Sequence, residues 1–149
     1  MELKQKIYNH YLQVIQDKIA MLQLVLDSLK ESGANETKST AGDKHETALA
    51  MLQIEQANTR GQLQEMNLQK TVLEKINPTL SAQIIVLGSL IKTNRGYLYM
   101  STALGKANIA GFTIMALSPQ SPLGQKLMGL KAREKVRINQ TEYIIESIA

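Results

Sequence analysis

Apolar residues recur at alternating spacings of four and three along the first 30 residues after Met1, at Tyr8, Leu12, Ile15, Ile19, Leu22, Leu26 and Leu29. This is the 3.5-residue period of a helix whose seam lies against another helix along its length. No Pro or Gly interrupts the run. A helix of about 30 residues extends roughly 45 Å, beyond the globular average, so the spacing predicts one arm of a coiled coil. Glu31-Ser32-Gly33 supplies a helix C-cap, and residues 33–42, which are small or polar, read as a loop. The helical pattern resumes near Asp43 and runs to Ile76, where Asn77-Pro78 stops it. The second register is Leu49, Leu52, Gln56, Thr59, Leu63, Met66, Lys70 and Leu73, with three polar or small seam positions. Gly61 weakens this arm by about 1 kcal/mol relative to Ala. Two arms of similar length joined by a short loop pair as an antiparallel hairpin at less entropic cost than recruiting a second chain. The hairpin makes the protein a monomer; pairing between chains is the competing arrangement.

After Pro78 the period changes to that of strands, which places a linker at residues 77–81 between a hairpin over 1–76, its tip near 33–46, and a domain over 82–149. Residues 83–90 read as a strand, Thr93-Asn94-Arg95-Gly96 as a turn, and Tyr97-Leu98-Tyr99-Met100 as a second strand. Residues 103–111 read as a turn-rich connection and 112–117 as a central strand, broken by 118–122. A short helix follows over 123–130, with Pro122 in its first turn and Ser121 as its cap. Residues 136–139 and 142–148 form a last hairpin turning at Asn139-Gln140-Thr141. The expected class is α+β: a helical hairpin, then a small, strongly bent antiparallel sheet whose face the short helix covers, since such a sheet buries too little alone. Met115, Leu117, Leu127 and Met128 are assigned to its core.

Composition narrows the chemistry. Across 149 residues, 44% apolar content with one Phe and no Trp allows a modest aliphatic core. The absence of Cys excludes disulfides and thiolate metal sites, and two widely separated His argue against structural zinc. The first residues do not resemble a signal peptide, and no apolar run is long enough to span a bilayer, so the expected address is cytoplasmic with no membrane partner. The net charge of +4 is uneven: residues 1–76 carry nine Lys or Arg against ten Asp or Glu, and residues 77–149 carry eight against three. A basic C-terminal part favours an acidic partner. With neither an aromatic platform nor a charged recognition helix, it makes a poor autonomous nucleic-acid binder. Lys126, Lys131, Arg133, Lys135 and Arg137 form its densest basic stretch, read either as a docking face or as a solvated one. On the first arm, Lys4, Lys6 and Lys18 are assigned to solvating the helix, and His10 to its surface.

The segment from Ser121 to Lys131, Ser-Pro-Leu-Gly-Gln-Lys-Leu-Met-Gly-Leu-Lys, followed by Val136-Arg137-Ile138 and Glu142-Tyr143-Ile144-Ile145, resembles the C-terminal signature of the Gre-type transcription elongation factors. The resemblance covers residues 82–149. Those factors join an antiparallel coiled coil to a domain with an FKBP-like sheet, in the order inferred above. They often carry Gly-Asp where this chain has Arg133-Glu134. Gly42-Asp43-Lys44-His45-Glu46 is similar to the family's Gly-Asp-x-x-Glu tip, whose two acidic residues enter RNA polymerase and help hold a Mg²⁺ ion and a water at its active site. The resemblance assigns those roles to Asp43 and Glu46. The family's following Asn-Ala-Glu-Tyr is replaced by Thr47-Ala48-Leu49. It implies a bacterial-type RNA polymerase as partner, contact with nascent RNA or DNA inside that complex, and no cofactor beyond Mg²⁺ shared with the polymerase.

Asp and Glu three residues apart at a helix start share a face. A hard divalent cation keeps several waters and uses carboxylates to complete its shell, so the pair recruits metal only where another protein supplies the other ligands. The same pair also reads as an N-cap and its capping-box partner. Lys44 and His45 read as phosphate contacts, His45 also as a proton carrier, or both as plain surface. The resemblance thus implies a non-enzymatic factor that enters the polymerase secondary channel and stimulates Mg²⁺-dependent cleavage of backtracked RNA. Alternatives are a channel-binding regulator without cleavage and a coiled-coil adaptor. Prolyl isomerase activity is not implied, since the chain lacks the aromatic-rich cleft that such binding favours.

Overall fold

A computed structural model describes the backbone of residues 2–37 and 42–149, and side chains outside 36–45. Helix α1 spans Glu2–Thr37 and α2 spans Gly42–Glu74. By Cα packing the chain divides into two compact units, Gln13–Lys70 and Met1–Leu12 with Thr71–Ala149. The first arm therefore does not end at Gly33, as the C-cap reading expected, but continues through it to Thr37. Glycine costs a helix interior about 1 kcal/mol, which a long helix absorbs. Residues 38–41 of the expected loop lie outside the described residues.

Within Gln13–Lys70 every expected seam position is shielded. Ile15, Leu26, Thr59 and Leu63 are buried, and Ile19, Leu22, Leu29, Leu49, Leu52, Gln56 and Met66 are half-buried. The two helices pair within one chain, and two of the polar seam residues, Gln56 and Thr59, find partners there. Gln56 Nε2 donates to Leu29 O of the facing helix at 3.3 Å, and Thr59 Oγ1 donates to Glu55 O of its own at 2.8 Å. A buried hydroxyl bonded to the preceding turn needs nothing from the opposite arm.

The sheet comprises β1 Leu90–Thr93, β2 Gly96–Met100, β3 Gly105–Ile109, β4 Phe112–Leu117, β5 Lys135–Ile138 and β6 Thr141–Ile148, in the order β3-β4-β2-β1-β6-β5. It is mixed, not antiparallel as expected, because β2 and β4 run parallel from Tyr97↔Ile114 to Met100↔Leu117. Residues 105–109, expected as a connection, form β3, which turns at Ala110-Gly111 and pairs antiparallel with β4 as far as Ile109↔Phe112. With β3 at the outer edge running opposite to β2, β4 is left parallel to β2. Such a connection leaves no mark on local periodicity, and the small and polar residues of β3 give little strand signal.

The strand expected over 83–90 is displaced. Only Ile85 of its apolar run is buried, and strand pairing proper starts at Leu90. Residues 86–89 fold into a turn in which Ser89 N donates to Val86 O at 3.0 Å and Ser89 Oγ accepts from Val86 N at 3.0 Å. Gly88 takes φ 94° there, and a Cβ would lie 2.8 Å from Ile76 Cγ2, so only glycine fits. The turns at Thr93–Gly96 and Asn139-Gln140 appear as read. Asn94 Oδ1 accepts from Ile144 N at 2.8 Å, tying the first to β6.

Helix α3, Pro122–Leu127, covers one face of the sheet. Leu127 joins Ile85, Ile91, Leu98, Met100, Leu117 and Ile145 in the core, with Met115 packed against it. Met128, assigned to the core from sequence, is 37% exposed, because it follows the last turn of α3. The opposite face is met by the beginning of α1. Tyr11 stacks on Tyr99 with ring centroids 6.2 Å apart, and its hydroxyl donates to Gly105 O at 2.8 Å and Ile114 O at 3.3 Å. Burial pushes the Tyr11 phenol above its ordinary pKa, so it remains a donor. Lys4 and Ile7 are buried on the same stripe of α1, which corrects the reading of Lys4 as a solvating residue. His10 is half-buried too, edge-on to Tyr11 at 5.2 Å.

Tyr11→Phe should lower unfolding free energy by about 1 kcal/mol, the net value of a buried hydroxyl bond, while Tyr11→Ala should cost about 3–5 kcal/mol. Urea denaturation followed by circular dichroism checks both.

Candidate functional site

Two places carry the residues singled out by sequence, and each is built by one local device. The first is the start of α2. The helix begins at Gly42, so Asp43 lies within its first turn and not ahead of it as the N-cap reading required. The side chains of Asp43, Lys44 and His45 lie outside the described residues; Glu46 is exposed. Acidic groups in a first turn interact favourably with the exposed amides and the positive end of the helix dipole, which accounts for their residue type without a ligand. Among the described residues no group of three or more His, Cys, Asp or Glu side chains could hold a metal ion. Two carboxylates are the right kind of donor for Mg²⁺ and too few to hold it unaided.

The second place is the basic stretch that runs from α3 to β5. Ser121 caps α3: its Oγ accepts from Gly124 N at 3.0 Å and donates to Ser118 O at 2.6 Å, and Pro122 opens the helix where a missing N–H costs nothing. Gly124 is imposed by space, since a Cβ there would lie 2.0 Å from Ser118 O. After α3 the backbone turns at Gly129, whose N–H donates to Ile85 O at 2.8 Å, while Ile85 N donates to Leu130 O at 2.8 Å. Lys131 then bridges Ile84.

Lys126, Lys131, Arg133, Lys135 and Arg137 are all exposed. The structure joins several of them. Lys126 Nζ donates to Arg137 O at 2.6 Å, holding the end of α3 to β5, and Lys135 Nζ lies 3.6 Å from Glu142 Oε1 of the neighbouring strand. Lys135 and Arg137 alternate with the half-buried Val136 and Ile138, so both occupy the solvent face of an edge strand. Charges on an edge also discourage strand addition, which gives them a structural use. Arg133 has φ 76°, the left-handed conformation for which a glycine is the usual choice. It is held by Arg133 N donating to Ile145 O and by Ile145 N donating to Glu134 O at 2.9 Å. The turn before β5 thus takes a glycine-type conformation without glycine.

Sequence reasoning missed the burial of Lys4, Ile7 and Tyr11. Their 3–4 spacing lies on a stripe beside the expected seam and continues to Ile15, a signal masked by the charge of Lys4. No candidate membrane-spanning helix occurs among the described residues.

No family model matches the chain, and no curated protein does. Among solved structures, the transcription factor Gfh1 aligns with 99% of this chain and 94% of its own length, at 15% identity and a TM-score of 0.32.

Arg133→Gly should stabilise the protein by about 0.5–1 kcal/mol by relieving left-handed strain at an exposed position. Gly124→Ala should destabilise it by more than about 2 kcal/mol, since backbone must move to admit the methyl group. Thermal unfolding of the two variants beside the wild type tests both signs.

Proposed function

We propose that this protein is a regulator of bacterial-type RNA polymerase, a hairpin over 1–76 entering the secondary channel while an FKBP-like head over 82–149 docks outside through Lys126, Lys131, Arg133, Lys135 and Arg137. The observation that carries the reading is the order of parts in one chain. A two-helix hairpin with Gly-Asp-x-x-Glu at the start of its second helix precedes a sheet domain whose Ser-Pro-Leu-Gly segment is the capped helix α3. A narrow rod reaches where a globular domain cannot, since α2 alone, with 33 residues, extends roughly 50 Å. Five exposed cations on α3, β5 and the turn between them suit an acidic partner surface and make its association sensitive to salt.

The protein acts by occupying the channel, without stimulating cleavage. Thr47-Ala48-Leu49 stands where Gre-type factors usually carry Asn-Ala-Glu-Tyr, leaving Asp43 and Glu46 as the acidic residues at this end of α2. Cleavage stimulation is the second reading, favoured by the position of both residues within the first turns of one helix. Mg²⁺ bound by the polymerase would then supply the charge that activates water, and Asp43 and Glu46 would contribute oxygen ligands and orient that water. The chain is not an enzyme by itself in either case. It works where the polymerase is, in the cytoplasm, as a monomer whose contacts with RNA or DNA arise inside the complex.

Retention on immobilised core polymerase and RNA length in a backtracked complex decide between the readings. The expected result is binding that weakens about tenfold or more in a Lys131→Glu, Lys135→Glu, Arg137→Glu variant, with slowed elongation and no Mg²⁺-dependent shortening of RNA. Shortening that disappears in Asp43→Ala, Glu46→Ala would establish the cleavage reading instead. Absence of binding would sink both and leave the adaptor.

A further inference from the structure

A cavity of about 310 Å³ lies where the start of α1 and the end of α2 meet residues 77–89. Its walls include Ile76, Leu80, Val86 and Leu87, and Lys4 reaches it from α1. Lys4 is 3% exposed, yet among the described residues no carboxylate lies within 4.0 Å of its ammonium. Nζ donates to Leu80 O at 2.6 Å, which uses one of three donors. Desolvation lowers its pKa from the ordinary lysine value. A shielded ammonium without a counter-charge is costly, and an anion that can enter would offset that cost.

The apolar walls point in the same direction. Leu80 is 66% exposed, Leu87 37% and Val86 36%, so three aliphatic side chains around one buried cation stand open to water. The wall is preformed, because the turn at 86–89 is closed by its own hydrogen bonds and Gly88 packs directly on Ile76. A preformed cavity with aliphatic walls and a buried ammonium among its polar lining groups, at the small end of the usual volume range, is the ordinary form of a small-ligand site. An anionic head matches the buried ammonium, and the aliphatic walls match an alkyl stem, which inorganic phosphate lacks.

From this geometry we propose that the cavity binds a short aliphatic monocarboxylate, with its carboxylate on Lys4 Nζ and its stem against Leu80, Val86 and Leu87. The site is independent of the polymerase reading. Lys75, exposed on the same cavity, is the other titratable group lining it.

Sodium hexanoate is the probe, titrated into the full chain and followed by amide chemical shifts of Val86 and Gly88. The expected result is saturable movement of both signals, with hexanamide and acetate binding about tenfold or more weakly, and Lys4→Met losing about tenfold or more in affinity. Equal binding of hexanamide, equal binding by Lys4→Met, or no saturation with hexanoate overturns the proposal. Should Lys4→Met fail to fold, the wild type still decides through the titration midpoint of the Lys4 Cε signal. A rise on adding hexanoate supports the pairing, and an unchanged midpoint refutes it.

Discussion

A six-stranded sheet has two faces to cover, and here one of the covers comes from the far end of the chain. Helix α3 has six residues and reaches one side only. On the other, Tyr11 lies flat against Tyr99 and bonds carbonyls of both β3 and β4, the two strands farthest from the C-terminal hairpin. The start of α1 consequently packs as one unit with residues 71–149, although sequence periodicity assigns it to a helical hairpin. The aromatic pair adds both apolar burial and hydrogen bonding at one point, which is why its geometry is specific where an aliphatic contact would tolerate sliding. Tyr99 sits deep enough that its own hydroxyl has no hydrogen-bond partner among the described residues, and burial, followed by the nearby Tyr8 phenol, drives its pKa far upward.

The hairpin solves a different problem. Its second seam contains Gln56, Thr59 and Lys70, which a strictly aliphatic coiled coil would exclude. Thr59 satisfies its hydroxyl on its own helix and Gln56 reaches a carbonyl of α1, so these two polar positions are tolerated without partners from another molecule. Gly61 remains a weak point that packing does not require, as a methyl group there would meet nothing within 4 Å.

Around α3 the local chemistry is unusually explicit. Ser121 must cap, Pro122 fits only an opening turn, and Gly124 is the one residue that clears Ser118 O. These demands explain the Ser-Pro-Leu-Gly segment without any ligand, so the segment by itself argues for architecture and not for activity. The five cations bear only on docking, and two of them, Lys126 and Lys135, already have partners within the chain.

Both helices, the final hairpin, the short capped helix and the Thr93–Gly96 turn were legible because each depends on neighbours within a few residues: a 3.5-residue seam, a cap or a turn sequence. The boundary near Gly33 was misjudged because a glycine permits a helix to end without obliging it to, while the restart near Asp43 was read to within one residue. The parallel pairing of β2 with β4, the edge strand β3 and the late start of β1 escaped, since strand partners are chosen by contacts remote in sequence. The same distinction governs the sites. Residue types alone marked Asp43, Glu46 and the basic stretch as candidates, whereas only the folded chain could bury Lys4 beside Leu80 and force Arg133 into a left-handed turn. Periodicity and capping are local free energies that a linear sequence already contains; burial, register and the company of a charge are decided when distant segments compete for the same space.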